Sequence, residues 1–174
     1  MKFSRGVVSA AAAIFIAALV PSAAASATTA TTATTTSWSC WNYKAAERNF
    51  FRLTNRARRR AGAVPLRLDS QISKVARRHT WAMVGTNRLY HTSNGTLARR
   101  VTNWTQLGEN VGVGGAVDSL QSAFMNSPEH RANILYNHFH YVGIGVVKRN
   151  GRMWVTVEFE ARSDPGTRLS APTC

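Results

Sequence analysis

The stretch from Tyr141 to Glu160 limits what this chain can fold into more than any other part of it. Tyr141 to Lys148 and Arg152 to Glu160 both alternate with period two, and Asn150-Gly151 between them suits a type I′ turn. The pattern predicts a β-hairpin. Val142, Ile144 and Val146 share one face of its first strand, and Met153, Val155, Val157 and Phe159 share one face of the second. Gly143 and Gly145 fall on the opposite face of the first strand, where a neighbouring element can pack close. Glu158 and Glu160 lie on the outer face of the last strand, a position that reads as solvation or a surface salt bridge.

Upstream of the hairpin the hydrophobic period changes to that of a helix. Ala45 to Ala61 places Phe50, Leu53 and Ala57 on one face, and Gly62 supplies a stop. The other face carries Lys44, Arg48, Arg52 and Arg56 at four-residue spacing, with Arg58 to Arg60 after them. Like charges at that spacing weaken an isolated helix, so tertiary packing must hold it. The stripe reads either as a solvated face or as a surface for an anionic polymer. Val64 to Leu68 is extended, because Pro65 disfavours a helical Val64. Asp69 fits the N-cap of a second helix, whose buried stripe is Ile72, Val75, Ala76, His79 and Met83. His79 is therefore expected in or near the core.

Gly85 to Gly95 reads as a loop carrying His91, and Thr96 to Val101 as a short helix. Gln106 to Gly115 holds Glu109 within Gly108-Glu109-Asn110, followed by a Gly/Val-rich stretch. Val117 to Met125 is a further helix, with Asp118 at its start. Ser127-Pro128-Glu129 opens another, with Ser127 as N-cap and Pro128 at the first helical position. His138 and His140 read as loop histidines facing solvent. Helices first and a hairpin last give an α+β fold with helices laid on a sheet.

The N-terminus has the form of a secretory signal. Lys2 and Arg5 precede an uncharged apolar segment from Gly6 to Val20, Pro21 breaks it, and cleavage fits after Ala27 or after Ala25. The alternative, an uncleaved anchor, needs a longer apolar run. Residues 28–37 are a Thr/Ala-rich linker with no large apolar side chain, and residues 38–174 form the folded domain. Cys40 and Cys174, at the two ends of that domain, are expected to form one disulfide in an oxidising compartment; two separate thiols are the alternative. After cleavage no transmembrane segment remains, and a secreted, extracellular protein is expected. The net charge of +14 falls to +12 with the leader gone, enough to draw the protein to anionic polymers or membranes. Nucleic acid is a poor candidate partner, since no aromatic-basic reading motif is present. Two cysteines exclude a four-cysteine zinc site, and no Walker loop, HExxH or GxSxG occurs.

Few residues can carry chemistry. His91, Glu109 and His130 are two imidazoles and a carboxylate, a set able to bind zinc or another divalent metal, or to act as a proton donor and acceptor pair. Their separations of 18 and 21 residues are no local metal motif. No Ser or Cys stands beside a recognisable base, so covalent catalysis is not expected.

Several segments, taken in order, resemble the CAP superfamily, also called SCP or PR-1-like, in its compact secreted bacterial form. They are Leu53-Thr54-Asn55 with Arg58, Pro65 to Asp69, Leu89 to Ser93, Gly108-Glu109-Asn110, Asn126 to Leu135, and Val142 to Val146. The resemblance covers Tyr43 to Phe159. It implies an α-β-α sandwich, a small antiparallel sheet flanked by helices, with a central cleft of two histidines and two glutamates. His91, Glu109 and His130 match three of the four; Ser127 stands in the region of the second glutamate. Glu129 is a poor substitute, because helix neighbours point about 100° apart. The resemblance implies a binding module for a small molecule, a lipid or a divalent metal at the cell envelope. A His/Glu hydrolase acting on peptide or envelope substrates, and a basic adhesin for anionic envelope polymers, are the alternatives. The loss of one acid makes catalysis the weaker expectation, with His91, Glu109 and His130 as the catalytic residues should it occur.

Overall fold

The computed structural model describes residues 42–163. The signal segment, the Thr/Ala linker, Cys40 and Cys174 lie outside the described residues.

Helix α1 spans Ala45–Arg60 and stops before Gly62, whose φ of +72° only glycine adopts without strain. Its Glu47 side chain accepts the Lys44 backbone N–H at 2.9 Å and is fully buried, paired with Arg77. Strand β1 is the short Arg67–Leu68. Asp69 then caps helix α2, Ser70–Thr86, by accepting the N–H groups of Gln71 at 2.7 Å and Ile72 at 3.1 Å. Helix α2 ends at Asn87 in the left-handed conformation, so it runs into the segment expected to be loop. Helix α3, Asn94–Arg100, begins two residues earlier than the spacing predicts.

The Gly/Val-rich stretch around Glu109 is strand β2, Trp104–Gly114, as long as any in the sheet. Its glycines hide the alternation. Helices α4 (Val117–Asn126) and α5 (Pro128–Leu135) follow, then β3 (Tyr141–Arg149) and β4 (Arg152–Arg162), the hairpin expected from Asn150-Gly151. The sheet order is β1-β3-β4-β2, antiparallel except for the parallel β1–β3 pair. The last strand in sequence is thus an inner strand in space, and β2 is an edge.

One sheet face packs Val142, Ile144, Val146, Val155, Val157 and Phe159 against Phe50, Leu120, Phe124 and Ile134 of α1, α4 and α5. The other face lies under α2. Helices on both sides make the architecture an α-β-α sandwich. On the α2 side two apolar clusters, Ile72/Val75/Tyr141 and Met83/Val111/Val147/Trp154, flank a polar belt containing His79, Thr80, Thr156 and Glu158. Gly143 and Gly145 let α2 come down onto β3: a Cβ at Gly143 would stand 2.3 Å from the Ile72 carbonyl carbon.

Arg58 departs from the expected basic run. It is completely buried, and its guanidinium donates to the carbonyls of Val64 (2.6 Å), Ile134 (2.8 Å), Tyr136 (2.9 Å) and Phe139 (3.2 Å). The stripe residues Lys44, Arg48, Arg52 and Arg56 do face solvent.

Candidate functional site

Glu109 sits on the edge strand β2, and its side chain points to the α2 face. One carboxylate oxygen, Oε1, accepts two hydrogen bonds, from His91 Nδ1 at 2.7 Å and from the Thr92 backbone N–H at 2.8 Å. A carboxylate only accepts, so His91 carries its proton on Nδ1 and keeps Nε2 as a free acceptor when the ring is neutral. The carboxylate is nearly enclosed, while the His91 side chain is 60% exposed. The other oxygen, Oε2, lies 3.9 Å from His79 Nε2, too far for a hydrogen bond. His79 Nε2 donates instead to the Tyr90 carbonyl at 2.8 Å, and the two rings meet edge to face. His79 is buried, as its place on the apolar stripe predicts.

His130, on α5, reaches the same strand from the opposite side. Asn110, next to Glu109, donates to the His130 carbonyl at 3.0 Å, and the His130 ring rests on that of Phe124 with centroids 4.8 Å apart. Burial, followed by the nearby His91, holds the His130 imidazole below its ordinary range, with Glu129 opposing. The ring is therefore neutral at physiological pH. Ser127 differs from expectation here. It precedes α5 but its hydroxyl caps no backbone N–H. It donates to Glu129 Oε2 at 3.2 Å and accepts from His130 Nδ1 at 2.9 Å. Glu129 thus meets His130 through Ser127, an arrangement that the angular separation of helix neighbours does not exclude.

The structure therefore joins His91 directly to Glu109 and brings His130 close enough to feel the charge of His91. Among the described residues, no group of three or more His, Cys, Asp or Glu side chains is arranged to hold a metal ion, so none of them forms a ready-made metal centre.

Beside the His91–Glu109 pair, between β2 and α3, runs a groove of about 680 Å³. Leu97, Ala98, Trp104 and Leu107 give it apolar surface; Thr92 and Gln106 add polar groups, and His91 and Glu109 line it as well. That volume falls within the range of small-ligand sites. Periodicity does not reveal the groove, because its glycines keep β2 from reading as a strand.

Two acids expected on a solvated face are buried. Glu158 and Glu160 are 1% and 0% exposed, since α2 covers the face that carries them. Glu158 is the direct cross-strand neighbour of Glu109 and of Gly143. Burial above all, then Glu109, holds the Glu158 carboxyl well above the usual range, with Arg100 opposing. Among the histidines expected to face solvent, His138 does so, whereas His140 is half-buried.

Known proteins share this architecture. The chain is 32% identical over 117 residues to protein YkwD of Bacillus subtilis, covering 63% of this chain and 45% of that protein. It therefore spans less than half the length of that relative. An outer surface protein from Borrelia burgdorferi has the same fold, with a TM-score of 0.64 at 18% identity, over 69% of this chain and 95% of its own. An extracellular protein containing an SCP domain from Bacillus anthracis has a TM-score of 0.61 at 27% identity, over 67% of this chain and 40% of its own. Residues 51–159 match the model of the CAP, or cysteine-rich secretory protein, family, and with the sandwich and the ordered motifs in place the chain belongs to that family.

Proposed function

We propose that this protein is an extracellular binding module whose β2–α3 groove takes a small amphipathic molecule. Its apolar body lies along Leu97, Ala98, Trp104 and Leu107, and its hydroxyl donates to His91 Nε2. The observation that carries this reading is that the hydrogen-bonded His91–Glu109 pair lines a mainly apolar groove. The pair fixes the tautomer of His91, so a polar head meets an acceptor in a set place. The secretory form of the N-terminus supports the location. So do the extracellular and outer-surface proteins that share its fold.

Calorimetry with a single-chain monoacylglycerol below its micelle concentration tests it. Ala98→Trp, which fills the groove, is expected to abolish binding. His91→Ala is expected to weaken it about tenfold, the worth of one hydrogen bond. Undiminished binding by Ala98→Trp removes the groove as the site.

A specific observation favours a second, independent surface. Lys44, Arg48 and Arg52 donate to neutral acceptors, the Val146 carbonyl, the Tyr43 carbonyl and Asn49 Oδ1. Among the described residues, neither these three nor Arg56 forms an ion pair. That leaves four uncompensated charges along one exposed helix face, suited to a polymer with regularly spaced phosphates. Binding to poly(glycerol phosphate) is expected to fall roughly ten- to a hundredfold between about 50 and 200 mM salt. Charge reversal at Lys44, Arg48, Arg52 and Arg56 is expected to flatten that dependence; an unchanged slope would reject the surface.

A further inference from the structure

The carboxyl groups of Glu109 and Glu158 occupy one dry space under α2, and their hydrogen bonding does not close if both are ionised. Glu109 Oε2 and both oxygens of Glu158 are buried, and each lacks a hydrogen-bond donor among the described residues. The charged and titratable groups around them make no hydrogen bond to these oxygens, and the buried Thr92 hydroxyl makes none either. From α2, His79 Nε2 is committed to the Tyr90 carbonyl and lies 3.9 Å from Glu109 Oε2. From β3, Gly143 stands opposite Glu158 and has no side chain. On β4 itself, Glu160 is another acceptor, and the Arg162 guanidinium approaches Glu160 at 4.0 Å. From α3, Arg100 acts on Glu158 through its charge. From the loop before α3, His91 and Thr92 both donate to Glu109 Oε1, not to Oε2. Two facing carboxylates in such a place repel each other and are poorly solvated, whereas one proton between them removes the repulsion and joins Glu109 Oε2 to one Glu158 oxygen.

We propose that Glu158 is a neutral acid that supports Glu109 from beneath, on the sheet, where the helix position of a second acid is held by Ser127. It carries a proton at neutral pH and donates a hydrogen bond to Glu109 Oε2. The bond fixes the Glu109 carboxylate so that Oε1 faces outward, where it holds His91 Nδ1–H and Thr92 N–H. Glu158 acts through Glu109 and has no access to the groove, so it is a positioning residue. The raised pKa of Glu158, caused by burial and by Glu109, agrees with this geometry. The assignment concerns the posture of Glu109 and does not depend on what the groove binds.

The test needs no ligand. Infrared difference spectra between wild-type protein and Glu158→Gln at neutral pH are expected to contain the carbonyl stretch of one neutral carboxylic acid, shifted in heavy water and lost in the variant. Absence of that band overturns the proposal. NMR supplies a second readout. Glu158→Gln keeps a donor of the same shape, so the Thr92 amide exchange rate and the His91 ring shifts are expected to match wild type. Glu158→Leu keeps the bulk without the donor, and about tenfold faster Thr92 exchange is expected with altered His91 shifts. A Gln variant that behaves like the Leu variant would mean that the charge of Glu158 matters and not its proton, which also overturns the proposal. Should the Leu variant fail to fold, the infrared band and the Gln comparison decide.

Discussion

Gly143→Ala is expected to lower stability by about 3 kcal/mol or more, with a fall in melting temperature on the order of 10 °C by differential scanning calorimetry. The added methyl would lie 2.3 Å from the Ile72 carbonyl carbon and 2.4 Å from the Ser73 nitrogen. Both are backbone atoms in the first turn of α2, which cannot turn aside as a side-chain tip would. The helix must lift from β3, and that opens the apolar contacts of Ile72 and Val75 with Tyr141 on one flank and of Met83 with Val147 on the other. Gly85→Ala provides the contrast. That glycine lies in the same helix and meets nothing within 4 Å, so alanine there is expected to be neutral or to stabilise by about 0.5–1 kcal/mol, the ordinary helix-propensity gain. Similar melting temperatures for the two variants would show that α2 does not rest on β3 as described.

Arg58→Leu is expected to cost about 3–5 kcal/mol, measured by urea unfolding. The side chain is a buried cation solvated by four carbonyl oxygens, those of Val64, Ile134, Tyr136 and Phe139, in place of a carboxylate. Removing it strands those oxygens in a dry site, each at a cost of about 1–3 kcal/mol unless the segment loosens to reach water. The segment joining α5 to β3 is the part expected to loosen, with increased hydrogen exchange around Tyr136 to Phe139. Burial already pulls the guanidinium below its usual pKa, so its charge is retained at a desolvation cost that the carbonyls offset. Arg58→Lys is expected to recover only part of the loss, because one ammonium cannot reach four acceptors in a planar fan.

These residues separate what local pattern reveals from what it hides. The Asn150-Gly151 turn sets the hairpin register locally, so the facing of Val142, Ile144 and Val146 and the close approach at Gly143 and Gly145 are all legible in the sequence. The same register places Glu158 opposite Gly143. A glycine that admits a neighbouring element therefore also marks Glu158 as covered, although alternation alone puts Glu158 on a solvated face. Resolving that conflict requires knowing that α2 covers the face that β3 and β4 share with the edge strand β2. That strand carries Gly108, Gly112 and Gly114, whose lack of side chains blurs the period-two signal. With β2 hidden, the groove is hidden as well. Arg58 escapes for a related reason: helical spacing puts it beside a basic run, but three of its acceptors come from a segment more than seventy residues away. The association of His91 with Glu109 is carried by ordered motifs and not by periodicity.

The edge position of β2 has a mechanical consequence. The strand bearing Glu109 is bonded along its length to β4 and cannot shift without shearing the sheet. The opposite wall of the groove is the seven-residue α3, moored through Leu97, by Val101 just beyond its end, and by the Trp104 indole N–H on the Ala98 carbonyl at 3.1 Å. One bank is held by a whole strand pairing and the other by a few contacts, so a molecule entering the proposed groove is expected to displace the short helix before the strand.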